Sequence, residues 1–439
     1  MTQSIGKSQV NRTVLNNGIV VLVTENPAAD IVAARMFLRA GSCYEKPEKA
    51  GLAHLLSTVM TKGCGNPKNS GSKTLTSMEI AEAVESFGAS LGTDSSSDYF
   101  VVSVKTVTDD FPEVLGLAGS IMRFPTFPEL EVELERRLAL QDIRSQKEQP
   151  FSVAFEQLRK AMYQNHPYAM SGLGDETTMG NLTRDDLVEF HQTYFRPDSL
   201  VISIAGRIDC DRAVKLVEDI FGDWQPPINQ PLPQTSFPEV GALNASRIAP
   251  RTFATPQNTQ QSILMLGYLV PSVHSSDYAA LKLLSTYLGN GLSSRLFIEL
   301  REKRGLAYEV SALYPTRLLC ASFVVYMGTA PENTETALAG LQTEVDLLSA
   351  VKLEPDSLQA AKNKILGQYA LGKQTNAQLA QIYGWYEILG LGIGFDKGFQ
   401  DAIAVVTAEE TLDAACKYLR EPYISLVGQQ EAIGRVIES

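Results

Sequence analysis

The chain has 439 residues, too many for one ordinary core, so two or three domains are expected. Hydrophobic residues make up 44% and charged residues 20%, the balance of a folded globular protein, and no apolar run approaches the roughly 20 residues that a membrane-spanning helix needs. The net charge is −12 and no basic stripe is interleaved with aromatics, which argues against nucleic-acid binding.

In chain order, the opening MTQSIGKSQVNRTV has neither an apolar signal core nor a small-residue cleavage site. A cytoplasmic location is expected, or an organelle lumen if a transit segment has been trimmed. Asn17-Gly18 predicts a hairpin turn between a strand ending at Leu15 and one starting at Ile19. A strand follows at 32–38, then helices near 51–60 and 78–87, a strand at 99–107, and helix from 113 to 146. LTRDDLVEFHQTYFRPDSLVISIAG, around Thr183, predicts a capped amphipathic helix, a turn and an apolar strand. GDWQPPINQPLPQTSFPEVG is rich in Pro and Gln and cannot continue a helix or a central strand, so it is a linker. Beyond it come a strand at 262–268, helices at 278–288 and 296–303, a strand at 322–328, and helices at 334–350 and 355–372. The glycine-containing LGNGLSS at 288–294 follows a helix and lacks the Lys-Ser/Thr of a phosphate loop, so it is a helix cap and turn. The last block, VTAEETLDAACKYLREPYISLVG, repeats the grammar of the first half.

In both repeats a Thr (Thr183, Thr407) is followed three residues later by an acid (Asp186, Glu410), the mark of a capped helix start. In both, a Tyr (Tyr194, Tyr418) follows the Thr by eleven residues, ahead of a Pro-containing turn and an apolar strand. This ordered series of matches argues for duplication. The fold class is therefore α+β: two homologous domains, each a largely antiparallel sheet packed with helices. Residues 1–224 form the N-terminal domain, 225–258 the linker and 259–439 the C-terminal domain. The five cysteines (Cys43, Cys64, Cys210, Cys320, Cys416) are scattered, odd in number and without a CxxC pair, so reduced, mostly buried thiols are expected.

AGLAHLLSTVMTKG at 50–63 resembles the AGLAH-x-x-EH-x-x-x-KG signature of the pitrilysin (insulinase, mitochondrial processing peptidase) family of zinc metallopeptidases. The resemblance continues through YQNHPYAMSGLG, YFRPDSLVISIAG and LSSRLFIELREKRGLAYEV to GTAPEN, in the family's order across nearly the whole chain. It implies a clamshell half built of two such domains. That chemistry needs two histidines one helical turn apart on one metal, with a Glu between them to activate water. Here His54 holds the first position, but Ser57 replaces the Glu and Thr58 the second His. The third ligand, a Glu of a later helix in the family, aligns with Asp142. Neither hydroxyl is an ordinary zinc ligand, and Ser57 cannot act as a general base at neutral pH. A serine-nucleophile reading of Ser57 with His54 lacks an elbow and a triad order, so His54 reads as a remnant on a helix face.

In LREKRGLAYEV the family's Arg/Tyr pair, seven residues apart, matches Arg301 and Tyr308, while Arg304 has the wrong spacing. The resemblance implies that this pair acts on a zinc site carried by a partner, with Tyr stabilising the oxyanion and Arg anchoring the peptide. The bland alternative makes Arg301 a surface residue and Tyr308 a core strand residue. A broken zinc motif with an intact pair implies the zinc-free subunit of a heterodimeric processing protease. Its partner would be a homologous chain with an intact H-x-x-E-H motif, and its substrates peptides. Zinc is expected in that partner and no cofactor in this chain. Two alternatives remain: an inactive structural or peptide-binding subunit of a larger complex, and a homodimer holding residual metal through His54 and Asp142.

Overall fold

The structure, a computed structural model, describes residues 10–65, 74–228, 230–233 and 251–438. Residues 66–73 and much of the Pro-rich linker therefore lie outside the described residues. The chain divides into two compact units.

Unit 1 draws on Met1–Ile143, Ser171–Thr235 and Ala370–Asp396. Its strands are β1 (Val10–Val14), β2 (Val20–Glu25), β3 (Val32–Leu38), the short β4 (Gly63–Cys64) and β5 (Leu75–Thr76), β6 (Ser90–Ser95), β7 (Phe100–Thr106) and β8 (Leu200–Gly206). Its helices include α1 (Leu52–Val59), α2 (Ser77–Ser86), α3 (Phe111–Arg123), most of α4 (Glu129–Glu148), α6 (Glu176–Asn181), α7 (Arg184–Tyr194) and α8 (Cys210–Phe221); α5 (Pro150–Tyr163) falls in unit 2. The main sheet runs β1-β2-β8-β3-β7-β6, antiparallel except where β2 meets β8. The expected hairpin turn is present: Gly18 sits at φ 93°, a left-handed conformation open to glycine without steric cost.

Unit 2 draws on Arg144–Met170, Ser236–Tyr369 and Lys397–Ser439. Its strands are β9 (Thr252–Pro256), β10 (Ser262–Val270), β11 (Glu309–Leu313), β12 (Ala321–Thr329) and β13 (Tyr423–Gly428). They run β11-β12-β10-β13-β9, antiparallel except where β13 meets β9. Helices α9 (Tyr278–Gly289), α10 (Thr334–Ala350), α11 (Pro355–Leu371), α13 (Phe395–Val405, shared between the units at its start), α14 (Ala408–Tyr418) and α15 (Gln430–Glu438) complete it, while α12 (Asn376–Ile388) belongs to unit 1.

Without β1, the two main sheets have the same order and the same pairing senses, so the duplication read from the C-terminal blocks extends to whole units. The two capping boxes are formed as expected: Thr183 accepts from the Asp186 amide and Thr407 from the Glu410 amide, and each acid reaches back to its Thr.

Each sheet is covered on both faces. In β3, Val32, Ala34, Met36 and Leu38 enter the core with α1, α3 and α7, while Phe37 on the opposite face meets α12. An ideal Cβ on Gly384 of α12 would lie 2.4 Å from the Phe37 ring, so only glycine lets the helix sit this close. In unit 2, all nine residues of β10 are buried, and α5 lies against Gly267, where a Cβ would lie 2.6 Å from the Met162 sulfur. Ser425 of β13 donates to the Ala154 carbonyl of α5 at 2.8 Å. These two covering helices come from opposite halves of the sequence, because a strand apolar on both faces must be covered twice. No helix among the described residues is long and apolar enough to cross a membrane.

Candidate functional site

The zinc-motif residues lie on α1, which is buried on nearly every side. Only His54 and Thr58, one turn apart, are part-exposed within it. Its N-terminus is held by Glu45, a buried carboxylate whose two oxygens accept from the Gly51 amide at 2.9 Å and the Ala53 amide at 2.6 Å. Burial pushes the Glu45 carboxyl up to about 8, against the pull of these two amides. Sequence reasoning missed Glu45 because it reaches α1 across a loop rather than from a cap position.

The replacing hydroxyls are committed to backbone. Ser57 Oγ donates to the His54 carbonyl at 2.7 Å, and Thr58 Oγ1 to the Leu55 carbonyl at 3.0 Å. Ser57 is itself buried, and its own carbonyl accepts from Thr93 Oγ1 of β6 at 2.6 Å. A serine nucleophile needs its proton aimed at a base. Here that proton goes to a peptide oxygen, which speaks against the Ser57–His54 reading.

Helix α4 brings Asp142 into electrostatic range of His54, together with Glu135 of the same helix and Asp94 of β6. Burial lowers the His54 pKa, and these three carboxylates oppose it. Glu135 is also paired with Lys62 at 2.8 Å. Among the described residues no three His, Cys, Asp or Glu side chains are grouped to hold a metal ion. One imidazole and one exposed aspartate, with both hydroxyls bonded to backbone, do not fit the donor set of a catalytic zinc.

The Arg/Tyr pair lies in unit 2. Arg301 lies in the last turn of a π-helical segment, Phe297–Glu302, and its guanidinium lies 5.0 Å over the Phe297 ring. Gly305 at φ 62° then turns the chain, and Leu306 donates back to the Leu300 carbonyl at 2.8 Å. Tyr308 follows, its amide fixed on the Gly328 carbonyl at 2.9 Å and its side chain 58% exposed, just before edge strand β11. The bland expectation of a core tyrosine is thus not met. Among the described residues neither the Arg301 guanidinium nor the Tyr308 hydroxyl has a hydrogen-bond partner. Arg304 packs its guanidinium against Gly340 of α10 instead.

Two duplicated α+β units, one with a dismantled H-x-x-E-H helix and the other with an exposed Arg/Tyr pair, define a chain of the metallopeptidase-fold class in which no metal-holding cluster is found among the described residues. The family profiles agree: "Insulinase (Peptidase family M16)" matches residues 20–176 and "Peptidase M16 inactive domain" matches residues 181–365. The chain belongs to peptidase family M16. It is 26% identical over 373 residues to the uncharacterized zinc protease YmxG of Bacillus subtilis, covering 85% of this chain and 87% of that one. It is also 26% identical to an uncharacterized zinc protease of Streptomyces coelicolor, with 96% and 90% covered. Among solved structures, a peptidase M16 inactive domain from Pseudomonas fluorescens shares the fold with a TM-score of 0.85, at 23% identity and with 96% and 98% covered. A protease from Helicobacter pylori does so with a TM-score of 0.86, at 20% identity and with 96% and 99% covered.

Proposed function

We propose that this chain is the zinc-free subunit of a heterodimeric M16 peptidase, supplying Arg301 and Tyr308 in trans to a homologous partner that carries zinc in an intact H-x-x-E-H motif. The observation that carries the reading is the contrast between the two sites. On α1 only His54 is kept, and the hydroxyls that replace the other two motif residues are committed to backbone, whereas Tyr308 is held by its backbone with its hydroxyl left to solvent. A buried structural tyrosine would satisfy its hydroxyl internally. An exposed one on a fixed backbone is suited to a partner's substrate.

In this scheme the two histidines of the partner's H-x-x-E-H motif would hold the metal, which would supply Lewis-acid chemistry, and the motif's Glu would serve as the base. The Tyr308 hydroxyl donates a hydrogen bond to the scissile carbonyl oxygen as negative charge develops there. The Arg301 guanidinium, without a hydrogen-bond partner among the described residues, anchors a peptide carbonyl or carboxylate. The test is reconstitution from purified subunits. The isolated chain should not hydrolyse peptides and the mixture should. Tyr308→Phe should leave assembly intact and lower kcat by about 10²–10³-fold, the cost of one oxyanion donor. An unchanged kcat would remove Tyr308 from the mechanism. A stable assembly without hydrolysis would leave a structural or peptide-binding subunit.

A further inference from the structure

Unit 2 holds a half-open cavity of 420 Å³ beside the strand that Tyr308 leads into. Glu309, the first residue of β11, lies on its wall, opposite Gly328 of β12 in the strand register. With no side chain at Gly328, the sheet leaves a hollow that Phe151 of α5 and Tyr326 of β12 wall with aromatic surface. Their rings meet edge to face at 5.0 Å. The Tyr326 hydroxyl donates to Glu309 Oε1 at 2.8 Å, fixing the carboxylate and leaving Oε2 for another donor. The side-chain amides of Gln149, Gln260 and Gln261 also line the cavity.

The rim is held in place. Gln257 donates through Nε2 to the carbonyl of Glu148, at 3.1 Å, which ties the loop before β10 to the end of α4. Gln429 donates to the Thr259 carbonyl at 3.0 Å. Burial, with the neighbouring carboxylate second, pushes the Tyr326 hydroxyl up to about 12, so it remains a donor at neutral pH.

A carboxylate beside two aromatic rings, with neutral amides around them, favours a cation on an apolar stem. The charge pairs with Glu309, the stem lies on the rings, and the ring faces attract the cation. An arginine side chain matches best, since its planar fork can bond a carboxylate and stack on aromatics together. We propose that this cavity binds a basic side chain of a peptide, arginine ahead of lysine. The net charge of −12 adds long-range attraction for such a peptide. As a peptide-selecting subsite the cavity rests on the function proposed above, whereas as a cation pocket it rests on unit 2 alone.

The test uses the full isolated chain and no partner. Fluorescein-labelled Gly-Phe-Arg-Ala-Ala amide is titrated by anisotropy, alongside the same peptide with lysine or with citrulline, the neutral isostere of arginine. The expected order of affinity is arginine, lysine, citrulline. Citrulline and Glu309→Gln should each cost about tenfold or more, as loss of a charge-assisted hydrogen bond implies. Phe151→Leu, which alters a part-exposed ring, should weaken the arginine and lysine peptides and narrow their gap to citrulline. Equal binding of arginine and citrulline, or a Glu309→Gln chain that binds as the parent does, would overturn the proposal, as would no binding at all. A failed titration with successful reconstitution removes the pocket and keeps the trans-acting pair. Selective binding without reconstituted hydrolysis does the reverse.

Discussion

Replacing Gly384 with alanine sets two effects of opposite sign against each other in α12. Gly→Ala in a helix interior gains about 1 kcal/mol from propensity alone. Against that, the new methyl would sit 2.4 and 2.7 Å from Phe37 ring carbons and 2.9 Å from Ser203 Cβ, well inside van der Waals contact. Phe37 is fully buried and packed edge to face on Tyr99 at 5.2 Å, so its ring has no direction of easy retreat. Overpacking of such a core costs about 1–3 kcal/mol, and this contact belongs at the upper end, which leaves about 2 kcal/mol of net destabilisation. Gly116 of α3, in the same unit, supplies the control, because nothing lies within 4 Å of its would-be Cβ. Gly116→Ala should stabilise by about 1 kcal/mol. Thermal unfolding followed by circular dichroism, with Trp385 fluorescence reporting beside the substitution, should show Gly384→Ala lowering Tm by roughly 4–8 °C and Gly116→Ala raising it by roughly 2–4 °C. A Gly384→Ala chain as stable as Gly116→Ala would refute the claim that this helix is seated by the absence of a side chain.

Three further outcomes follow from the same geometry. Thr183→Ala and Thr407→Ala each remove a formed capping box and should each cost about 1 kcal/mol, seen as a lowered urea midpoint; a neutral result at either would mean the acid alone holds that helix start. Glu45 has a folded pKa near 8, above that of an unfolded glutamate, so the folded state holds its proton longer and its contribution to stability falls as pH rises between about 4.5 and 8. Parent minus Glu45→Gln in Tm should therefore shrink across that window, and a difference that grows would show that the two amide bonds keep the carboxylate ionised. Finally, the purified chain should hold well under one equivalent of zinc at neutral pH, and His54→Ala should not change that content, whereas stoichiometric zinc lost on His54→Ala would restore the residual-metal homodimer.

Much of the fold was legible in the sequence because its signals are local. Asn17-Gly18 demands a hairpin, Thr183 and Thr407 demand capped helices, and apolar runs such as 32–38 and 262–268 mark strands that both main sheets contain. Edge strand β6 was missed because Ser90–Ser95 is polar and joins the sheet through backbone pairing with β7. Helices α5 and α12 were missed, and with them the reason that β10 and β3 can be apolar on both faces.

At the site, residue identity alone told of the loss at Ser57 and Thr58 and the retention of Arg301 and Tyr308. Only the tertiary structure decided that the two hydroxyls are spent on carbonyls one turn back. It alone placed Asp142, Asp94 and Glu135 around His54, set Glu45 beneath α1, and left Tyr308 in solvent. Local sequence specifies dihedrals and caps, over a few residues of chain. Which carboxylate reaches which imidazole, and where a missing side chain opens a hollow, depends on strand order and helix seating across hundreds of residues, and no short window of sequence encodes that.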